Sequence, residues 1–171
     1  MTALSIFDMD KTITRAATFG PFLIYAVPRY APLRVVFAPL VLLTSLGFML
    51  RLVSRARLKE INLSLMLGGD IDAAKLDRIS AGFAGHTLSR NCLARALARV
   101  EAERAAGRRV VLATASYAFY VRQIATLIGV EDVIATRTTD EGGTTSPTIN
   151  GENCYGEAKL RMVQAWLAEE K

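Results

Sequence analysis

Histidine is almost missing from this chain. His86 is the only one in 171 residues, so a His-rich metal site is excluded. Cysteine is scarce too. Cys92 and Cys154 lie far apart with no metal-ligand spacing, and they read as two free thiols in a reducing compartment. Dense basic tracts are lacking: the net charge of +5 is spread over the chain. With no zinc-finger, RNA-recognition or basic-zipper pattern either, nucleic acid is not an expected partner. The mild positive balance favours anionic small molecules or anionic lipid. Internal repeats and low-complexity segments are absent. The N-terminus has no basic region or cleavage site before its first apolar run, so the expected location is cytoplasmic. Half of the residues are apolar, enough for one folded domain with a core.

What is present begins at once. Residues 3–8 form a short apolar run that reads as a buried strand, and it leads into Asp8-Met9-Asp10-Lys11-Thr12. Two carboxylates two positions apart at the C-terminal end of a strand can converge on one metal ion and one phosphate. In an open α/β sheet that end of the strand is where ligands bind. An Asp-x-Asp after a strand is also a common polar turn, so its partners decide.

Residues 16–85 read as helical throughout, broken into short or kinked pieces by Pro21, Pro28, Pro32 and Pro39. Gly68-Gly69 ends one run. Asp70 or Asp72 caps the next, which is expected to last to about Gly82. Residues 88–106 predict a single amphipathic helix stopped by Gly107. Strands follow at 109–114 and 132–136, with a helix at 117–128 between them. A hairpin is expected over 137–151, turning at Asp140-Glu141-Gly142-Gly143, and a final helix over 156–170. Strands alternating with helices predict a parallel sheet covered on both faces. Met162, Val163, Trp166 and Leu167 sit at helical spacing and read as core. His86 reads as a polar residue near the junction of the helical stretch and the sheet.

Residues 35–50 carry no charge and are flanked by Arg34 and Arg51. A spanning helix needs roughly twenty apolar residues, and this run falls short while containing Pro39 and Gly47. The first expectation is a helix buried in the insert's own small core. The second is a helix dipping into a bilayer interface at the inner face of the membrane, with the arginines at headgroup level.

Three features fall in order: Asp8/Asp10 after the first strand, Thr114 at the end of the second, and Lys159 at the start of the last helix. Together they resemble the haloacid dehalogenase superfamily of aspartate-nucleophile phosphatases. The likeness is to the phosphoserine-phosphatase-like branch and covers residues 3 to about 165. Residues 150–159, leading into Lys159, are similar to that branch. The resemblance implies a Rossmann-like three-layer α/β core over 1–15 and 87–171, with a helical cap of the C1 type inserted at 16–86. It implies that Asp8 attacks phosphorus and that Asp10 acts as acid and base. Asp8 and the Asp10 carbonyl would hold Mg²⁺. Thr114 and Lys159 would stabilise the phosphoryl group. Thr12 would orient the loop, with Ser116 and Arg15 beside the substrate. Ser116 is equally readable as the N-cap of the following helix. Lys11 stands where the family commonly has glycine.

The chain also departs from that pattern. The family's fourth motif, an acidic pair on a strand after the lysine helix, has no counterpart. Glu169 and Glu170 fall on a helical pattern instead. The reading is a truncated phosphatase that binds Mg²⁺ weakly, turns over poorly and has an exposed sheet edge open to self-association. The branch's substrate-ammonium glutamate is replaced by Ala17, and Arg15 has the wrong sign for an amine, so phosphoserine is disfavoured. An anionic, partly apolar or lipid-linked phosphomonoester fits better. A catalytically incomplete membrane-surface or partner-binding protein, and an aspartyl-phosphate phosphotransferase, are the alternatives.

Overall fold

The computed structural model describes residues 3–169. The expected end of the last helix at 170, Glu170, and the outer ends of the core segments at 1–2 and 170–171 lie outside the described residues. The first strand, β1 (Leu4–Phe7), pairs in parallel with β3 (Arg109–Tyr117), which pairs in parallel with β4 (Asp132–Glu141). β4 turns back at Gly142 and Gly143, both at positive φ, into β5 (Thr144–Asn150). β5 takes on β2 (Ile71–Asp72), a two-residue strand within the helical insert. The order is β1-β3-β4-β5-β2. The sheet is therefore mixed: a parallel core, as expected, extended by antiparallel strands from the hairpin and the insert. β1 lies at the edge and leaves Ile6 43% exposed.

Alternation along β3 sets the layers. Val111 and Ala113 face Met162, Val163 and Trp166 of the last helix, α7 (Glu157–Glu169). Val110 and Leu112 face the other way, into a core shared with Val100 of α5 (Ala94–Ala105) and Val121 and Ile124 of α6 (Ala118–Leu127). Ser5 of β1 donates a 2.6 Å hydrogen bond to buried Glu103, tying α5 to the edge strand. Cys92 and Cys154 are free and buried.

The insert comprises α1 (Phe19–Tyr30), a 3-10 stretch (Pro32–Phe37), α2 (Ala38–Met49), α3 (Arg55–Leu67) and α4 (Ala73–Arg90). Asp72 caps α4, accepting from the Lys75 N–H at 2.6 Å. α4 does not stop near Gly82; it runs on to Arg90. Gly82 faces the Tyr25 hydroxyl, which would lie 2.6 Å from a Cβ there, so this glycine serves packing between helices. His86 is exposed on α4 with Tyr25 beside it.

The single helix expected over 88–106 is instead two. Between α4 and α5 the chain opens at Asn91–Leu93 to meet the strand-like segment after the Asp-x-Asp motif. Arg15 N–H donates to the Asn91 carbonyl at 2.7 Å, Leu93 N–H to the Ile13 carbonyl at 2.9 Å, and Thr14 bridges Cys92. Tertiary hydrogen bonds here override helix propensity. The expectation of a buried helix over 35–50 also fails. Neither α2 nor the 3-10 stretch contains a buried residue. α2 lies along α3 with Thr44 donating to Asn62 at 2.6 Å, and its outer side faces away from the protein.

Candidate active site

The parallel strands β1 and β3 lie side by side, and the motif residues sit in the turn beyond β1 and in the part of β3 that runs past it. Past β1 the chain makes a tight turn. The N–H groups of Thr12, Ile13 and Thr14 all point at the Met9 carbonyl, at 3.3, 2.9 and 3.0 Å. Lys11 sits in this turn at φ 63°, the left-handed region, which is the physical reason a glycine suits the position. The Thr14 hydroxyl braces the turn by donating to carbonyl oxygens; Met9 O is 3.2 Å away and Ala16 O 2.8 Å.

The turn presents Asp8 to solvent at the strand's end. Its Oδ1 accepts the Met9 N–H at 2.8 Å and its Oδ2 pairs with Lys159 Nζ at 2.8 Å. The side chains are 44% and 24% exposed, so a ligand can reach them. Lys159 stands in the first turn of α7, after Gly156 at φ 57°. Asp10 is held differently. Its Oδ1 accepts from both the N–H and the hydroxyl of Thr18, at 3.1 and 2.8 Å, and its Oδ2 accepts from the Ser116 hydroxyl at 2.8 Å. Tyr120 Oη lies 3.3 Å from the Thr18 hydroxyl, in a pocket whose burial pushes the phenol well above its usual range.

Thr114 is buried, and its Oγ1 accepts the Ser116 N–H at 3.2 Å. Ser116 is not the N-cap of α6; that place is taken by Tyr117, which makes no side-chain cap bond. Instead Ser116 joins the Asp10 cluster. Thr12 and Arg15 are exposed, and neither side chain has a hydrogen-bond or ion-pair partner among the described residues. So the structure brings together Asp8 with Lys159, and Asp10 with Ser116. It leaves Arg15 at the surface.

A cation that sequence reading did not single out lies just behind. Lys59, from α3, is buried with its Nζ 2.6 Å from the Ala115 carbonyl and 2.9 Å from Asn153 Oδ1. Its ammonium also sits over the Tyr117 ring at 4.2 Å. Burial pulls its pKa down to about 7, with Asp10 pulling the other way. Thr136 donates towards the same two acceptors, Ala115 O at 2.8 Å and Asn153 Oδ1 at 3.1 Å. Lys59 therefore fastens the insert to β3, which carries Thr114, and to the segment that leads into Lys159. A lysine in line with Leu63 and Met66 on one face of α3 was the available signal.

The model of the haloacid dehalogenase-like hydrolases matches residues 6–171. The chain belongs to that family. Among solved structures, this hydrolase is similar to a protein of unknown function from Bordetella pertussis Tohama I. The two are 22% identical with a TM-score of 0.82, over 99% of this chain and 76% of that one. It is similar also to a phosphoserine phosphatase solved as a phospho-aspartyl intermediate analogue. There identity is 16% and the TM-score 0.62, over 99% and 72% of the two chains. A probable phosphoserine phosphatase from Vibrio cholerae gives 14% and 0.65, over 98% and 46%. These likenesses establish the fold, which is that of the phosphoserine-phosphatase-like hydrolases. No curated protein matches the chain.

Proposed function

We propose that this hydrolase is a phosphomonoesterase that works through a covalent phosphate on Asp8. The observation that carries the reading is the Asp8–Lys159 pair, 2.8 Å apart and open to solvent at the end of a parallel strand. A carboxylate nucleophile needs a neighbouring cation to approach an anionic phosphate, and Lys159 is that cation. One Asp8 oxygen attacks phosphorus, and the bond from phosphorus to the leaving oxygen breaks. Asp10 gives its proton to that oxygen, then takes one from the water that cleaves the acyl phosphate. Such proton transfers typically contribute ~10²–10⁴-fold. Thr18 and Ser116 donate to both Asp10 oxygens and hold the carboxyl group in place. Thr114 uses its oxygen to accept from Ser116, which leaves its O–H as donor to a phosphoryl oxygen.

Mg²⁺ is the proposed cofactor. The Asp8 carboxylate and the Asp10 main-chain carbonyl are hard oxygen donors of the kind it takes, and Mg²⁺ keeps several waters. Among the described residues no third acidic, histidine or cysteine side chain joins them. When bound, the ion offsets repulsion between the carboxylate and the phosphate.

The substrate we infer is an anionic phosphomonoester, small or lipid-linked, without a recognised ammonium. Ala17 offers no carboxylate to an amine, and Arg15 nearby is cationic. The decisive experiment is p-nitrophenyl phosphate hydrolysis with Mg²⁺, for wild type and Asp8→Asn, with acid-quenched samples assayed for phosphoprotein. Hydrolysis or a phosphoprotein lost in Asp8→Asn supports the reading. Equal activity in the variant, or neither signal in wild type, overturns it.

A further inference from the structure

Pro32–Met49 is long and apolar enough to cross a membrane, by length and composition, and none of it is buried. α2 is apolar all round. A helix with that composition is normally covered on every side. Its inner residues, Ala38, Val41, Thr44 and Phe48, rest against the insert, while Leu42, Leu43, Leu46 and Met49 form the outer face with 50–77% exposure. Val35 and Val36 before the helix, and Leu50 and Leu52 after it, extend the same surface at 61–78%. Soluble chains rarely leave so large a contiguous apolar patch without an interaction to match.

Charge says what covers it. Between Asp10 and Glu60 the chain contains no acidic residue, while Arg51, next to α2, and Arg55, over the Phe48 ring, are exposed beside the patch. Arg51 is held at φ 61° at the tip of the turn after α2, between exposed Leu50 and Leu52. An apolar face flanked by Arg51 and Arg55, with Glu60 taken up by Arg57 and the Ile149 N–H, complements an anionic lipid surface, where acyl chains meet a negative headgroup layer. A protein partner would need an acidic ring around an apolar centre; a bilayer supplies both without further design. Attachment favours lying in the interface over spanning. Pro32–Met49 is long enough to cross a membrane, but Arg34 donates to the Ser64 and Leu65 carbonyls of α3. The inner side of α2 is also fastened along α3.

We propose that the outer face of α2, with the turns at 32–37 and 50–54, docks on an anionic bilayer. The surface reaches the rim of the active site. The Arg55 guanidinium lies 5.5 Å from the Phe48 ring of α2 and 4.2 Å from the Tyr155 ring, four residues before Lys159. Docking would therefore hold the site beside the headgroup layer, a consequence that rests on the phosphomonoesterase reading; the docking itself does not.

The test is sedimentation of the full chain with phosphatidylcholine vesicles, with and without 30 mol% phosphatidylglycerol. The expected result is at least tenfold stronger binding to the anionic vesicles. That binding should fall at least tenfold in the Leu42→Glu/Leu43→Glu double variant and more modestly in Arg51→Gln. To separate docking from misfolding, Leu42→Trp should be quenched by brominated lipid while wild-type Trp166 is not. Absent binding, or binding unchanged in the double variant, overturns the proposal. So does a wild-type dimer in sedimentation velocity that the double variant abolishes, since the face would then belong to a second copy. Vesicle binding and p-nitrophenyl phosphate hydrolysis are read separately, so either reading can fail alone.

Discussion

Two apolar stretches of this chain meet opposite fates. Val110, Val111, Leu112 and Ala113, in the middle of β3, are all at most 5% exposed, packed between α7 on one face and α5 and α6 on the other. Residues 35–50 are as apolar, yet α2 contributes no buried residue. The difference lies in neighbours and not in composition. A central parallel strand is covered twice by the crossover helices that its topology requires. A helix on the outside of an insert has one side to rest on. Hydrophobicity says that a segment wants cover; only topology says whether this chain provides it.

The site itself gives the largest expected effect. Asp8→Asn should lower phosphomonoester hydrolysis by at least ~10³-fold, as loss of a covalent nucleophile does. Thermal stability should hardly change, since Asp8 is exposed and gives up one ion pair. A rate within tenfold of wild type would move the chemistry elsewhere.

The comparison of the two stretches can be broken directly. Leu112→Ala removes a fully buried side chain from the sheet and should cost ~2–5 kcal/mol in urea unfolding. Leu42→Ala, the same change on the outer face of α2, should fall within about 0.5 kcal/mol. If Leu42→Ala costs as much as Leu112→Ala, the outer face is covered within the protein and the contrast disappears.

Much of this was legible in the sequence, for identifiable reasons. The three motif positions declare themselves because each ends a strand or starts a helix, where local pattern is strong. The hairpin at 137–151 was readable from its paired glycines. What could not be read depends on contacts distant in sequence. The break at Asn91–Leu93 is set by hydrogen bonds to residues 13–16, 75 or more positions away. The roles of Thr18 and Ser116 appear only once β1 and β3 lie adjacent. The exposure of 35–50 was illegible because its composition suits a core helix and an interfacial helix equally.

Lys59 sharpens the comparison from the inner side of the insert, where α3 does have something to rest on. Its ammonium is drawn into the core by Ala115 O and Asn153, and burial lowers its pKa from 10.5 to about 7. Between those values the unfolded chain binds a proton that the folded chain does not. Stability should therefore rise as pH climbs from about 7 towards 10.5 and stay level, for this group, below 7. Other groups titrate too, so the quantity to follow is the urea midpoint of wild type minus that of Lys59→Met. That difference should grow from pH 7 to pH 9.5. A flat difference would mean that Lys59 keeps an ordinary, solvated charge.

The smallest effect concerns the turn that presents Asp8. Lys11 is the left-handed residue of that turn, where a side chain costs roughly 1–2 kcal/mol relative to glycine. Glycine in turn gives the unfolded chain more freedom, a cost of about 0.5–1 kcal/mol. Lys11→Gly should thus leave the fold unchanged to slightly stabilised, by no more than about 1.5 kcal/mol. The Lys11 N–H is 3.4 Å from the Thr14 hydroxyl, and glycine keeps that contact. Lys11→Val tests the same point from the other side, because a β-branched residue is poorly tolerated at positive φ. It should destabilise by more than the glycine variant gains, and should slow hydrolysis by loosening the loop under Asp8. Equal stability in the glycine and valine variants would show that this turn adapts its backbone to the residue it carries.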